Sequence, residues 1–224
     1  MRLGFIGRKK EAQDVYSFFF QSEKPLKWQA GQYLHYELPH PNADKRGIGR
    51  WFTISAAPFE KHITLTTRFD SKPGSTFKKA LLLLEPGAVV ETGEPRGDFV
   101  YEPDASRLIF IAGGIGITPY RSMLLQLDHE DNRLNIDLLW VNRDNSFVFN
   151  EEMEGLAKKH PEFNLKKFIG DKRISRDDFK PYLADESILF YLSGPKPMVE
   201  TYQQQLLELN VDLPRIKLDY FPGY

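Results

Sequence analysis

The sequence predicts two domains: an antiparallel six-stranded β-barrel with one helix, followed by a doubly wound α/β domain built on a five-stranded parallel sheet. Its 224 residues exceed the usual size of a single domain. Residues 1–103 alternate apolar and polar side chains in short runs, which is typical of half-buried strands. From residue 104 onward, continuous apolar runs alternate with helical patterns, which favours a parallel sheet covered on both faces. We therefore predict domains over 1–103 and 104–224.

The composition excludes several classes of chemistry. Hydrophobic residues make up 41% of the chain, and a net charge of −1 offers no basic surface for nucleic acid. The chain contains no cysteine, which excludes disulfides, thiol catalysis and a cysteine-held iron–sulfur cluster. The five histidines lack the spacing of metal ligands, so no metal site is expected. No apolar run is long enough to span a membrane and no signal peptide begins the sequence, so we expect a cytoplasmic location.

The first domain is expected to contain six strands and a single helix. The strands are predicted at 3–8, 15–21, 33–38, 51–55, 63–69 and 88–91, and the helix at 75–84. Alternation along the fourth strand places Arg50 and Phe52 on one face, with Thr53 on the other side or on a bend. Arg50 suits a phosphate and Phe52 an aromatic ring, to which Thr53 could donate a hydrogen bond. A barrel strand with a surface arginine explains the same pattern.

The start of the lone helix is a second candidate phosphate site. Gly74, Ser75 and Thr76 combine free backbone N–H groups with two hydroxyls at this point. Capping of the helix by Ser75 or Thr76 is the alternative.

The second domain is expected to alternate strands with helices. The strands are predicted at 108–111, 136–141, 163–168, 188–192 and 216–218. The helices are predicted at 119–127, 150–159, 176–183 and 197–209.

A glycine-rich turn follows the first strand of this domain. Its glycines are Gly113, Gly114 and Gly116, after which Thr118 is predicted to cap a helix and Pro119 to be its first residue. Such a turn directs N–H groups and a positive helix end toward a phosphate. A tight turn without a ligand is the alternative.

A similar turn, containing Ser193, Gly194 and Pro195, follows the fourth strand. In open α/β sheets, ligands bind at the carboxyl ends of the strands where the strand order reverses. We therefore expect both turns to flank a single cleft.

Six motifs in order resemble the ferredoxin-NADP reductase superfamily over nearly the whole chain. They are the segments 30–33, 50–53, 74–76, 93–99, 112–119 and 193–195. Segment 50–53 is similar to the family's Arg-x-Tyr-Ser/Thr flavin motif, 112–119 to its pyrophosphate loop, and 193–195 to its Cys-Gly-Pro motif. In this chain Phe52 stands where the family usually has tyrosine, and Ser193 where it has cysteine.

The resemblance implies a bound FAD, with FMN left open, and a nicotinamide nucleotide as co-substrate. The implied flavin-binding residues are Arg50, Trp51, Phe52, Thr53, Thr67, Arg68, Gly74, Ser75, Thr76, Phe221 and Tyr224. The implied nucleotide-binding residues are Gly113, Gly114, Gly116, Thr118, Pro119, Arg143, Gly194, Pro195 and Met198.

Four residues are implied to act at the reacting atoms, namely Thr53, Ser193, Asp219 and Phe221. Asp219 corresponds to a family glutamate, and Phe221 would cover the flavin face that the nicotinamide must reach. A core aromatic is the alternative for Phe221, and Tyr224 could cover the flavin instead.

Coenzyme preference stays open. Arg143, helped by Lys172 or Arg173, favours the 2′-phosphate of NADPH, whereas Asp144 would bind a ribose diol and repel that phosphate.

By this resemblance the protein transfers hydride between NAD(P)H and FAD and passes electrons to a separate carrier such as ferredoxin or flavodoxin. A free-flavin or ferric reductase is the alternative among enzymes. A non-catalytic electron-transfer or regulatory subunit is the alternative outside them.

Overall fold

The computed structural model describes residues 1–69 and 74–220, which places Phe221 and Tyr224 outside the described residues. The chain divides into two compact units, Met1–Val100 and a second unit that begins at Tyr101.

The first unit is an antiparallel sheet of six strands, counted over its described residues, with the order β4-β3-β6-β1-β2-β5. The strands are β1 (Arg2–Ala12), β2 (Val15–Ser22), β3 (Tyr33–Glu37), β4 (Gly49–Thr53), β5 (Ile63–Arg68) and β6 (Val89–Thr92), with helix α1 (Thr76–Leu82) between β5 and β6. A bridge between Ile54 and Leu65 joins the two ends of the sheet, so the strands close into a barrel. The predicted barrel with one helix is confirmed.

The barrel interior follows from the alternation of side chains along the strands. On β3, Leu34 and Tyr36 are fully buried, whereas Tyr33 and His35 on the other face are partly exposed. Helix α1 packs Phe77 and Leu81, four residues apart, into the same core. This packing brings the start of α1 next to strand β4.

The second unit is a parallel sheet in which the described residues form five strands in the order β11-β10-β7-β8-β9. The strands are β7 (Leu108–Gly113), β8 (Ile136–Asn142), β9 (Asn164–Ile169), β10 (Leu189–Ser193) and β11 (Ile216–Asp219). The helices are α2 (Thr118–His129), α3 (Asn150–Lys159), α4 (Arg176–Phe179) and α5 (Lys196–Glu208). The strand order reverses between β7 and β10, which places a crevice at their carboxyl ends. The predicted doubly wound sheet is confirmed.

Two predicted elements have different bounds for identifiable reasons. The helix predicted at 176–183 is wrong: α4 ends at Phe179, and the chain continues as a 3-10 turn over Lys180–Tyr182. Pro181 has no N–H to continue the α-helical hydrogen bonds, which favours the tighter turn. Strand β4 ends at Thr53 rather than at residue 55, because Ile54 only forms an isolated bridge with Leu65, and the N–H of Ser55 already donates to the carbonyl of Thr64 in β5 at 2.9 Å.

No helix in residues 1–69 or 74–220 has both the length and the apolar character needed to cross a bilayer.

Candidate functional site

Strand β4 buries the guanidinium of Arg50 at one end of the barrel, where only 5% of the residue is exposed. Nη1 donates to the carbonyl oxygens of Arg46, Gly47 and Gly49 at 3.0, 2.9 and 2.6 Å, and Nη2 donates to Asp44 Oδ1 at 2.7 Å. The buried Nε–H has no hydrogen-bond partner among the described residues. Arg50 is therefore not a surface arginine, and it keeps a buried donor available for an acceptor.

The start of helix α1 lies beside this guanidinium. Ser75 caps the helix, because its Oγ accepts from the backbone N–H of Lys78 at 3.4 Å. Thr76 has a different role: its backbone N–H and its hydroxyl donate to Asp44 Oδ2 at 3.2 and 3.3 Å. Gly74 is exposed just before them. The structure thus brings Arg50 and Thr76 to one carboxylate.

Asp44 is the residue of this cluster that sequence reasoning missed. The hydrogen bond from Arg46 is the largest influence that holds the pKa of Asp44 well below its usual range, and bonds from Thr76 and Arg50 add to it. Asp44 belongs to the loop before β4, and no spacing rule relates it to residues 50 and 76. Arg50 and Thr76 thus surround an ionised carboxylate, which shows that the cluster accommodates an anion.

The two aromatic side chains of segment 50–53 face opposite ways. Phe52 is only 6% exposed and packs in the barrel core, with its ring 6.0 Å from that of Tyr36 and 5.8 Å from that of Phe77. Trp51 is 36% exposed, and its ring lies 4.6 Å from that of His35. Trp51 is therefore the aromatic of this segment that solvent reaches.

Beside Trp51 is a cavity of about 380 Å³, also lined by His35, Glu37, Glu91 and Arg96.

The remaining barrel residues expected near a flavin are largely enclosed. Thr53 and Thr67 are buried. Arg68 donates from Nη1 to Asp14 Oδ2 at 3.3 Å.

In the second unit, strand β7 leads through the glycine-rich turn directly into α2. The turn is a 3-10 helix over Gly114–Ile117, and α2 follows without a break. The expected capping by Thr118 is wrong, because Thr118 is the first residue of α2 and Pro119 the second. The capping position is Ile117, which offers no side-chain acceptor, so the N–H groups at the start of α2 have no side-chain cap.

The turn after β7 touches the turn after β10. A Cβ at Gly116 would lie 2.5 Å from the carbonyl carbon of Ser193 and 2.7 Å from the Cα of Gly194. A Cβ at Gly113 would lie 2.7 Å from Met198 Cε and 2.9 Å from Pro195 Cδ. Gly116 is therefore required for contact between the turns, which meet at one crevice, whereas Gly113 faces the side chains of Met198 and Pro195. Gly114 differs, since its φ of +53° favours glycine, whereas a Cβ there would make only an ordinary contact with Asn142 Oδ1 at 3.8 Å.

A buried hydroxyl and carboxyl pair joins the ends of β10 and β11. Ser193 Oγ donates to Asp219 Oδ2 at 2.9 Å. Burial raises the pKa of Asp219 to about 6, while the bond from Ser193 acts in the opposite direction. Asp219 can therefore hold a proton in mildly acidic solution.

Substitution of Asp219 by asparagine should change how stability depends on pH. The folded carboxyl keeps its proton up to a pH of about 6, whereas the unfolded one loses it near 3.8. The stabilisation that the protonated Asp219 carboxyl provides is thus complete below pH 3.8. It is lost as the pH rises from 3.8 through about 6, and it stays constant above that pH. We expect Asp219→Asn to match wild type near pH 4 and to exceed it at pH 8, by about 1–3 kcal/mol in the free energy of unfolding.

Urea denaturation at several pH values tests this expectation. Asp104→Asn, at an exposed position, is the matched control and should follow the wild-type curve. A constant difference between Asp219→Asn and wild type across this pH range would contradict it.

The loop after β8 carries the residues proposed for coenzyme choice. Arg143 is exposed, and its side chain has no hydrogen bond or ion pair to other described residues. Arg173, after β9, donates its guanidinium to the carbonyl of Gly170. Arg143 thus presents an accessible guanidinium at the carboxyl end of β8.

Comparison with known proteins shows which sequences and structures this chain resembles. Residues 110–204 match the family described as the oxidoreductase NAD-binding domain. A flavohemoprotein from Candida albicans is 30% identical over 238 residues, which is 96% of this chain and 58% of that protein. The flavohem-like FAD/NAD binding domain of a Vibrio cholerae nitric oxide dioxygenase superposes with a TM-score of 0.82 at 21% identity, covering 98% of both chains. A ferredoxin-NADP⁺ reductase from Plasmodium falciparum gives 0.81 at 15% identity, covering 98% of this chain and 95% of that one. The chain is thus similar in sequence to flavohemoproteins and shares the fold of the ferredoxin-NADP⁺ reductase.

The match to the NAD-binding family lies entirely within the second unit. The chain spans about three fifths of the length of the curated relatives it matches. The two solved structures share its fold at low identity, so they establish the fold and not a particular reaction.

Proposed function

We propose that the chain is an NAD(P)H-dependent reductase that binds FAD on its barrel unit and the nicotinamide nucleotide on its α/β unit. The buried, unpartnered Nε–H of Arg50, in a cluster that already surrounds a carboxylate, is the observation that carries this proposal. When bound, FAD would accept a hydride from the nicotinamide and pass on its electrons. The protein itself then has to bind and orient the two nucleotides and to exclude water from between them.

The residues of the chain have distinct proposed tasks. Arg50 and Thr76 would hold the phosphates of the flavin nucleotide, because both direct donors to one anionic position. Trp51 offers an exposed ring for a flat ligand, whereas the buried Phe52 supports the strand from within. Ser193 and Asp219 would hold or release a proton at the Asp219 carboxyl near the nicotinamide.

We propose that the electron acceptor lies outside this chain. The sequence has no cysteine to bind an iron–sulfur cluster. The similar Candida albicans protein is a flavohemoprotein, of which this chain matches only 58%. We therefore propose a haem or iron–sulfur protein as the acceptor, with ferredoxin as the more specific candidate. Flavodoxin, which carries a flavin instead, is a separate candidate.

An anaerobic absorption spectrum of the purified protein with added FAD tests the proposed function. We expect a protein-bound flavin spectrum that bleaches on addition of one equivalent of NADPH or NADH. Flavin that is reduced but lost on gel filtration would favour the free-flavin reductase. Binding without bleaching would favour the non-catalytic subunit, and failure to bind would contradict the proposal.

For the coenzyme we propose NADPH, through the exposed guanidinium of Arg143. Substitution of Arg143 by alanine should raise the KM for NADPH by about tenfold, because one charge-assisted contact with the 2′-phosphate is lost. The KM for NADH should stay unchanged. Arg133→Ala, exposed before the amino end of β8, is the matched control in steady-state assays. Equal effects on both coenzymes would argue against this role of Arg143.

A further inference from the structure

The carboxylate of Asp44 occupies the donors that a flavin phosphate would need. We propose that Asp44 is an internal competitor for the phosphates of FAD, whose side chain has to turn away before the nucleotide reaches Arg50. This inference rests on the proposed function, in that it assumes FAD binds to the barrel unit.

Arg50 and Thr76 together supply three donors to the two oxygens of Asp44. Arg50 Nη2 donates to Oδ1 at 2.7 Å, while the backbone N–H and the hydroxyl of Thr76 donate to Oδ2 at 3.2 and 3.3 Å. A phosphate would bind Arg50 through the parallel N–H groups of Nε and Nη2, since Nη1 already faces three carbonyl oxygens. Asp44 uses only Nη2 and leaves Nε unpartnered, so the carboxylate fills the fork incompletely.

Asp44 and a phosphate cannot share these donors. A carboxylate beside a bound phosphate would place like charges within a few ångströms of each other. Either anion therefore weakens binding of the other.

The loop that carries Asp44 also supplies a counter-ion for the displaced carboxylate. Arg46 donates to Asp44 from Nε at 3.3 Å, from Nη2 at 3.1 Å and from its backbone N–H at 2.9 Å. The Arg46 side chain is substantially exposed, and the backbone around it stays attached to Arg50 through the carbonyls of residues 46 and 47. Asp44 can thus turn toward solvent with its charge still paired, without moving the loop backbone.

A merely positioning role for Asp44 makes the opposite prediction. If Asp44 served only to orient Arg50, removal of its charge would leave FAD binding unchanged or weaker. If Asp44 competes with the phosphate, the Asp44→Asn variant should bind FAD more tightly, because an amide oxygen accepts a hydrogen bond from Arg50 more weakly than a carboxylate does.

The test is a titration of the flavin-free protein with FAD and, separately, with riboflavin, followed by flavin fluorescence. For Asp44→Asn we expect the Kd for FAD to fall by about tenfold. The Kd for riboflavin should stay unchanged, because riboflavin has no phosphate. Asp104→Asn removes the same charge from an exposed position in the other unit and should leave both values unchanged. Asp44→Ser is a second charge-removing variant if the asparagine variant folds poorly.

The outcomes separate this inference from the proposed function. FAD binding by wild type, with equal or weaker binding by the folded Asp44 variants, would overturn the competitor role alone. An equal gain for riboflavin would overturn it as well, since the effect would not involve phosphate. If neither wild type nor variants bind FAD, the proposed function and this inference both fail.

Discussion

Replacement of Gly116 by alanine is expected to destabilise the second unit by about 2–3 kcal/mol and to abolish binding of the nicotinamide nucleotide. The added methyl group would lie 2.5 Å from the carbonyl carbon of Ser193 and 2.7 Å from the Cα of Gly194. Both neighbours are backbone atoms, and β10 is hydrogen-bonded on both sides within the sheet. Moving either atom would therefore strain the sheet and cost free energy. The two turns should be forced apart at the crevice.

Gly155→Ala is the matched control for this substitution. Gly155 lies within helix α3, and nothing stands within 4 Å of its Cβ position. Alanine there should raise the free energy of unfolding by about 0.5–1 kcal/mol. Urea denaturation and calorimetric titration with NADPH measure both effects. Wild-type nucleotide affinity in Gly116→Ala would show that contact between the turns is not needed for binding.

Replacement of Arg50 by lysine is expected to raise the Kd for FAD by about 10- to 100-fold. Lysine keeps the positive charge but cannot offer two parallel N–H groups to a phosphate. It also leaves some of the carbonyl oxygens of residues 46, 47 and 49 without their donor, so a lower free energy of unfolding is expected.

Fluorescence titration measures the change in affinity, and circular dichroism checks the fold. Arg8→Lys is the control, since Arg8 also donates to a carbonyl oxygen in the barrel unit, that of Leu84 at 2.9 Å. It should bind FAD as wild type does. Unchanged FAD affinity in a folded Arg50→Lys protein would remove Arg50 from the proposed phosphate site.

The elements of both units were predictable because their signals are local. Alternation along 49–53 places Arg50 and Phe52 on one face, which is what β4 shows. Continuous apolar runs likewise predict β7 and β8, in which every residue is buried. Alternation cannot decide which face points into the barrel, so the enclosure of Phe52 and the exposure of Trp51 required the assembled sheet.

The composition of the cluster around Arg50 was harder to predict. Asp44 meets Arg50 and Thr76 only after the barrel closes and α1 packs against β4, and no short-range pattern encodes that meeting. The error at Thr118 has a local cause. A threonine before a proline suits a helix cap, but the preceding 3-10 turn already continues into α2.

The pairing of β10 with β7 also sets the order in which the α/β unit can be completed. Strand β10 (Leu189–Ser193) lies between β7 and β11 and pairs with Leu108–Gly113, which leaves the ribosome much earlier. Until β10 has been synthesised, one edge of β7 is unpaired, and closing so long a loop carries an entropic cost that local helices avoid. A nascent chain that ends before β10 therefore carries the glycine-rich turn without the second wall of the crevice. The capacity to bind nucleotide should accordingly arise late in folding, as one of the last properties the unit acquires.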